Sequence, residues 1–158
     1  MNTIVSYSIV KYQNIPIYAY YKPKPLDLDS IISAGENQTT EFKRNFNDEA
    51  IESLVAFCNA RGGKVLIGID SKEIINPSFS LGTETIQEWA NQIKLKTQPA
   101  IIPEFSTIDM GSNKTIVLIT IQEFPIKPVS FKGRYFKRVN NSNHTLSAIE
   151  ITELRMQS

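Results

Sequence analysis

The stretch from Asn47 to Asp70 constrains the fold of this chain more than any other. Asn47 is a candidate N-cap, Asp48 and Glu49 stand where a first helical turn favours negative charge, and Ala50, Ile51, Leu54, Val55, Phe57 and Cys58 follow at helical spacing. Gly62-Gly63 ends that helix, and Val65-Leu-Ile-Gly-Ile69 then runs apolar without alternation until Asp70. A strand with no polar side is covered on both faces, so the unit calls for a central strand in a sheet flanked by helices.

The remaining pattern extends that unit in both directions. Ile4 to Val10 and Ile15 to Tyr21 are rich in β-branched and aromatic residues around Gln13-Asn14 and read as a hairpin. Lys22-Pro-Lys-Pro25 breaks regular structure, so residues 1–25 are expected to form a β-rich arm and residues 26–158 the main domain. Leu26 to Ala34 reads as a helix stopped at Gly35, and Gln38 to Arg44 as a strand with Thr39, Glu41 and Lys43 on one face and Phe42 entering the core. A helix over Thr83 to Lys96, strands over Glu104 to Asp109, Thr115 to Gln122 and Tyr135 to Val139, and a helix from about Ser147 to Leu154 complete the chain. The fold class expected is α/β (α+β), a single domain with a mixed β-sheet flanked by helices.

Composition narrows the function classes. The 41% hydrophobic and 21% charged fractions exclude a disordered or fibrous chain, and 158 residues suit one core. Seventeen Lys and Arg against sixteen Asp and Glu leave +1, so no whole-chain field attracts nucleic acid or a membrane surface, although a local patch is still allowed. With Cys58 and His144 alone of their kinds, neither a disulfide nor a Cys/His zinc set can form, and any metal site would be built from carboxylates. No signal sequence or membrane span is recognisable, so a cytoplasmic location is expected.

Three constellations carry chemistry. Glu36, Glu41 and Lys43, followed by Asp70 at the end of the apolar strand, would bring three acids and a lysine to one edge if the two strands are neighbours. Such a trio offers oxygen ligands for Mg²⁺ or Mn²⁺ and suits phosphodiester hydrolysis, with Lys43 neutralising charge in the transition state; the simpler reading is a surface Glu41–Lys43 pair. Arg61-Gly62-Gly63-Lys64 lies between helix and strand, the reverse of a Walker A loop, and reads as a helix cap with a tight turn. Pro125 to Arg138 holds Lys127, Lys132, Arg134, Lys137 and Arg138 with no acid, interleaved with Phe131, Tyr135 and Phe136. Cations on phosphates and aromatics on unpaired bases would make this a nucleic-acid surface, extended by Lys94 and Lys96, whereas strand alternation would send about half of it inward. Cys58 and Trp89 read as core, and His144 as a loop residue within Asn140 to Thr145.

Taken in order, Gly35-Glu36…Glu41-Phe42-Lys43, Ala56-Phe57-Cys58-Asn59-Ala60-Arg61-Gly62-Gly63, Leu66-Ile67-Gly68-Ile69-Asp70 and Gly133…Tyr135…Arg138-Val139 resemble the Schlafen AlbA-type domain over roughly Leu26 to Leu154. The resemblance implies a nucleic-acid-binding module, DNA or RNA, in transcription regulation or defence. The alternative it implies is a metal-dependent endoribonuclease cleaving structured RNA, because the three-carboxylate site of the animal Schlafen nucleases matches Glu36, Glu41 and Asp70. Mg²⁺ or Mn²⁺ would be needed only in that second case. The two-lobed animal core also implies a homodimer. The chain departs from the family pattern at Cys58-Asn59-Ala60, at Ser71 and at Asn140; the change at Ser71 weakens any metal ligand expected there without touching Asp70.

Overall fold

The computed structural model describes residues 27–157, so the arm expected over residues 1–25 lies outside the described residues. Helix α1 (Leu28–Ala34) begins at Asp27, whose side chain accepts a hydrogen bond from the Ser30 amide at 3.1 Å, and ends at Gly35. Strand β1 (Thr40–Lys43) is followed by α2 (Asp48–Cys58), β2 (Gly63–Ile67), α3 (Thr85–Lys96), β3 (Thr97–Gln98), β4 (Glu104–Asp109) and β5 (Thr115–Ile121). The chain continues through β6 (Ser130–Phe131), β7 (Arg134–Val139), β8 (Ser142–Thr145) and α4 (Ala148–Met156).

A mixed sheet has the order β1-β2-β5-β4, with β1 parallel to β2 and the other pairs antiparallel. Period-two alternation sorts its side chains between two cores. Val65, Ile67, Val117, Ile119 and Ile121 enter the larger core with α2, while Leu66, Ile116 and Leu118 join Phe42 and Ile69 on the opposite face, where Leu28, Ile31 and Ile32 of α1 cover them. The unbroken apolar run thus has a helix over each face.

A second sheet, β3-β6-β7-β8, is antiparallel throughout and packs on the other side of α2. Helix α2 is therefore enclosed between two sheets, which is why Ala50, Ile51 and Ser53 to Cys58 are all buried. Burial pushes the Cys58 thiol up to about 12, as suits a small core residue and not a nucleophile. His144 lies on edge strand β8 opposite Lys137, and not in a loop. The stretch hid its strand because β8 buries none of its four residues and so shows no apolar alternation.

The glycines after α2 are fixed by sterics. Gly62 has φ +75°, and a Cβ there would lie 2.8 Å from the Ile121 carbonyl oxygen and 2.9 Å from the Glu123 amide nitrogen. At Gly63 a Cβ would meet the Phe57 ring at 2.7 Å. Backbone packs on backbone here, and the turn holds no phosphate-loop geometry.

Candidate nucleic-acid interface

Strand β1 carries Glu41 into the body of the domain, where its side chain is only 8% exposed. Oε1 stands 2.9 Å from Lys43 Nζ and Oε2 stands 2.6 Å from Arg138 Nη1. The second contact is ionic and not an aligned hydrogen bond: Nη1 donates to Asn143 Oδ1 at 3.0 Å, and Oε2 accepts no aligned N–H. Arg138 also donates through Nη2 to the carbonyls of Asn37 and Thr40 at 3.0 and 3.2 Å, and its guanidinium lies 5.1 Å from the centre of the Phe57 ring. Burial alone would push the Lys43 ammonium down, but the hydrogen bond and charge of Glu41, with the charges of Glu49 and Glu36, outweigh it and raise its pKa.

The other two acids are engaged with backbone. Glu36 Oε1 accepts from the Phe42 amide at 3.1 Å, and Asp70 Oδ1 accepts from the Lys72 and Ile74 amides at 2.9 and 3.0 Å. Glu36, Glu41 and Asp70 therefore do not fit a divalent cation in this structure. Two resident cations already compensate Glu41 and would repel Mg²⁺ or Mn²⁺, and no group of three His, Cys, Asp or Glu able to hold a metal occurs among the described residues. Lys43, expected to neutralise a reacting phosphate, is instead the counter-ion of Glu41.

The basic stretch separates into three environments. Strands β6 and β7 are joined by Lys132-Gly133, both at positive φ as a type I′ hairpin turn requires. At this tip Lys132 and Lys96 share the carboxylate of Asp48 at the start of α2, and their two hydrogen bonds hold its pKa below the usual carboxylate range. The Lys132 amide also donates to the Lys96 carbonyl at 3.0 Å, which ties the turn to the end of α3. Lys94 is exposed on the last turn of α3, and Arg134 is exposed with its guanidinium 5.0 Å from the centre of the Phe136 ring. The turn and the end of α3 thus carry four cations, two of which share one acid.

Beyond the tip, alternation along β7 turns Phe136 and Arg138 toward α2 and leaves Tyr135 and Lys137 half-buried on the opposite face. Arg138, expected at the surface, is a buried structural cation with a side chain 1% exposed. Lys127 is 11% exposed and paired with Glu123. Lys137 stands three residues along β7 from Arg134, about 10 Å at 3.3 Å per residue, so it does not belong to one compact patch with the tip.

Lys137 instead borders a cleft of about 440 Å³ where α2 and α4 end, with Arg61, Lys127 and Gln157 among its lining. One anchor of this region escaped the sequence reading. Asn59, buried at the C-cap of α2, donates to the carbonyls of Val129 and Phe136 at 2.7 and 2.8 Å and accepts from the Val129 amide at 2.7 Å. Its signal was a lone amide closing the apolar run Leu54 to Cys58.

The sequence model described as Schlafen, AlbA_2 matches residues 36–147. Seventeen chains of solved structures match the fold. The DIP2311 protein of Corynebacterium diphtheriae is 18% identical at a TM-score of 0.58, over 81% of this chain and 27% of that one, so this chain spans about a quarter of that protein. The N-terminal domain of a Nitrosomonas europaea protein related to the ATP-dependent DNA helicase RecG is 18% identical at a TM-score of 0.52, over 75% of this chain and 92% of that one. At these identities the likeness is one of fold. No curated protein matches. Among the described residues, no helix is long and apolar enough to cross a membrane.

Proposed function

This chain belongs to the Schlafen AlbA_2 family, and on that footing we propose that it is a nucleic-acid-binding domain that grips the phosphate backbone with the β6–β7 hairpin tip and the end of α3. The observation that carries the reading is the gathering of Lys94, Lys96, Lys132 and Arg134 on an exposed turn and the helix end tied to it, with Asp48 the one acid among the described residues that pairs with any of them. Phosphate contacts of this kind position a protein without reading sequence. The shared fold with the N-terminal domain of a RecG-related protein supports a nucleic-acid context. Metal-dependent RNA cleavage through Glu36, Glu41 and Asp70 has no geometric observation in its favour. A role in regulation or defence is part of the proposal, as is homodimerisation, which predicts a particle of twice the 17.9 kDa chain mass by light scattering at micromolar concentration.

Fluorescence anisotropy with a labelled DNA duplex and a labelled RNA strand, titrated across salt, tests the interface. Replacing Lys94, Lys132 and Arg134 together with Gln should flatten log K against log salt by about 0.7–0.9 for each phosphate that is no longer neutralised, or roughly 2 in all. A triple variant with the parental slope would remove the hairpin tip from the interface.

A further inference from the structure

The outer edge of β4 is the longest open sheet edge among the described residues, with six residues against four in β1 and β8 and two in β3. Its register with β5 is continuous, so no bulge twists it away, and Glu104-Phe-Ser-Thr-Ile-Asp109 contains neither Lys nor Pro. Those are the devices that usually keep a bare edge from pairing. The Met110 amide donates to the Lys114 carbonyl at 2.8 Å, on the β5 side, so alternation turns the amides and carbonyls of Phe105, Thr107 and Asp109 outward. Among the described residues, no backbone hydrogen bond beyond the β4–β5 ladder engages them.

A second observation lies on the face beside this edge. Helix α1 covers the smaller core yet buries none of its own residues, and Ile108 and Met110, at the β4 margin of that core, are likewise only partly buried. A further strand with apolar side chains on this face and polar ones on the other would close the margin.

The edge also selects its occupant. A second copy of β4 fits poorly, because full antiparallel self-pairing sets Glu104 opposite Asp109 at both ends. Residues 4–11 of this chain, Ile-Val-Ser-Tyr-Ser-Ile-Val-Lys, carry no acid and alternate as the edge requires. With the segment antiparallel and Lys11 opposite Glu104, Val5, Tyr7 and Ile9 share the face of Ile108 and Met110, while Ser6 and Ser8 fall opposite the exposed Asp109 and Thr107. A slip of one residue would turn the serines to the core.

We infer that residues 4–11 add to the outer edge of β4 of their own chain as an antiparallel strand in this register. The intervening residues 12–26, at about 3.3 Å each, reach about 50 Å, whereas a domain of this length has a radius of gyration of about 15 Å. The same chain can therefore supply the strand. Closing that loop costs a chain entropy that grows slowly with length, whereas exchange between two copies adds the cost of association. The added strand closes an edge that would otherwise pair with another molecule.

NMR of the full chain tests this. The Phe105 and Thr107 amides should exchange with deuterium at least about tenfold more slowly than unpaired amides, and nuclear Overhauser contacts should join Tyr7 to Ile108 and Val5 to Met110. In the double variant Tyr7→Ser, Ile9→Ser, exchange at Phe105 and Thr107 should rise about tenfold, while the central-strand amides of Leu66 and Val117 keep their protection and show that the domain is folded. Should the variant unfold, the parent's exchange and contacts decide alone. Isotope-filtered spectra of mixed labelled and unlabelled chains separate the two sources of the strand: contacts within one chain support the inference, and contacts solely between chains overturn it. It is equally overturned if Phe105 and Thr107 exchange as unpaired amides, if Tyr7 touches neither Ile108 nor Met110, or if a folded double variant keeps the parent's exchange. None of these residues enters the hairpin-tip test, so the two readings fail separately.

Discussion

Replacing Arg138 with Met is expected to destabilise the domain by about 3–5 kcal/mol, because it strands the Glu41 carboxylate without its buried partner. It also removes donors from the Asn37 and Thr40 carbonyls, which tie the residues leading into β1 to β7. Arg138→Lys should recover only part of the stability, since one ammonium cannot reproduce the planar fork that reaches both carbonyls and Asn143. Combining Arg138→Met with Glu41→Leu should cost far less than the two single changes summed, because no buried charge is then left alone. Urea unfolding at constant m-value compares the parent with all four variants. An Arg138→Met destabilisation below about 1 kcal/mol would show that the pair is solvated in solution. In conditions where the variant is still folded, its nucleic-acid salt slope should match the parent, since a side chain 1% exposed holds no phosphate.

The second large effect is expected at Asn59. Asn59→Ala removes three buried hydrogen bonds at once and leaves the Val129 amide and carbonyl and the Phe136 carbonyl without their partner, which should cost about 3 kcal/mol. Asn59→Asp should be at least as harmful, because a carboxylate accepts from the Val129 amide but opposes two carbonyls where the amide donated. The near-UV dichroism of Trp89 and the urea midpoint should move together, since Asn59 closes the helix that both sheets pack against. A tolerated Asn59→Asp would show that the second sheet is held by its apolar packing alone.

Both sites show how far one sequence reads. The Asn47 cap, the α2 helix, the central strand and the β4–β5 pair were legible because each rests on local spacing or on a capping residue. The Ser147 capping box at α4, with Glu150 bonding back to the Ser147 amide, is local in the same sense. The acidic trio was legible only as a set of residues. Nothing near Glu41 in sequence shows that Arg138 will neutralise it, so the expected metal chemistry gave way to a buried ion pair. The basic stretch read as one surface for the same reason: alternation shows that side chains part to two faces, but not that α2 waits on one of them.

The sequence by itself determined the helices, the strands β1, β2, β4, β5 and β7 and the family, since hydrogen-bond geometry gives helices and strands their periods and glycine sterics marks their ends. Tertiary structure alone decided which charges meet. It buried Arg138 against Glu41, brought Lys96 and Lys132 to the one carboxylate of Asp48, and left Arg61 and Lys137 on the wall of one cleft. The energy of a charge depends on its burial and on neighbours brought from distant parts of the chain, and no local pattern encodes either.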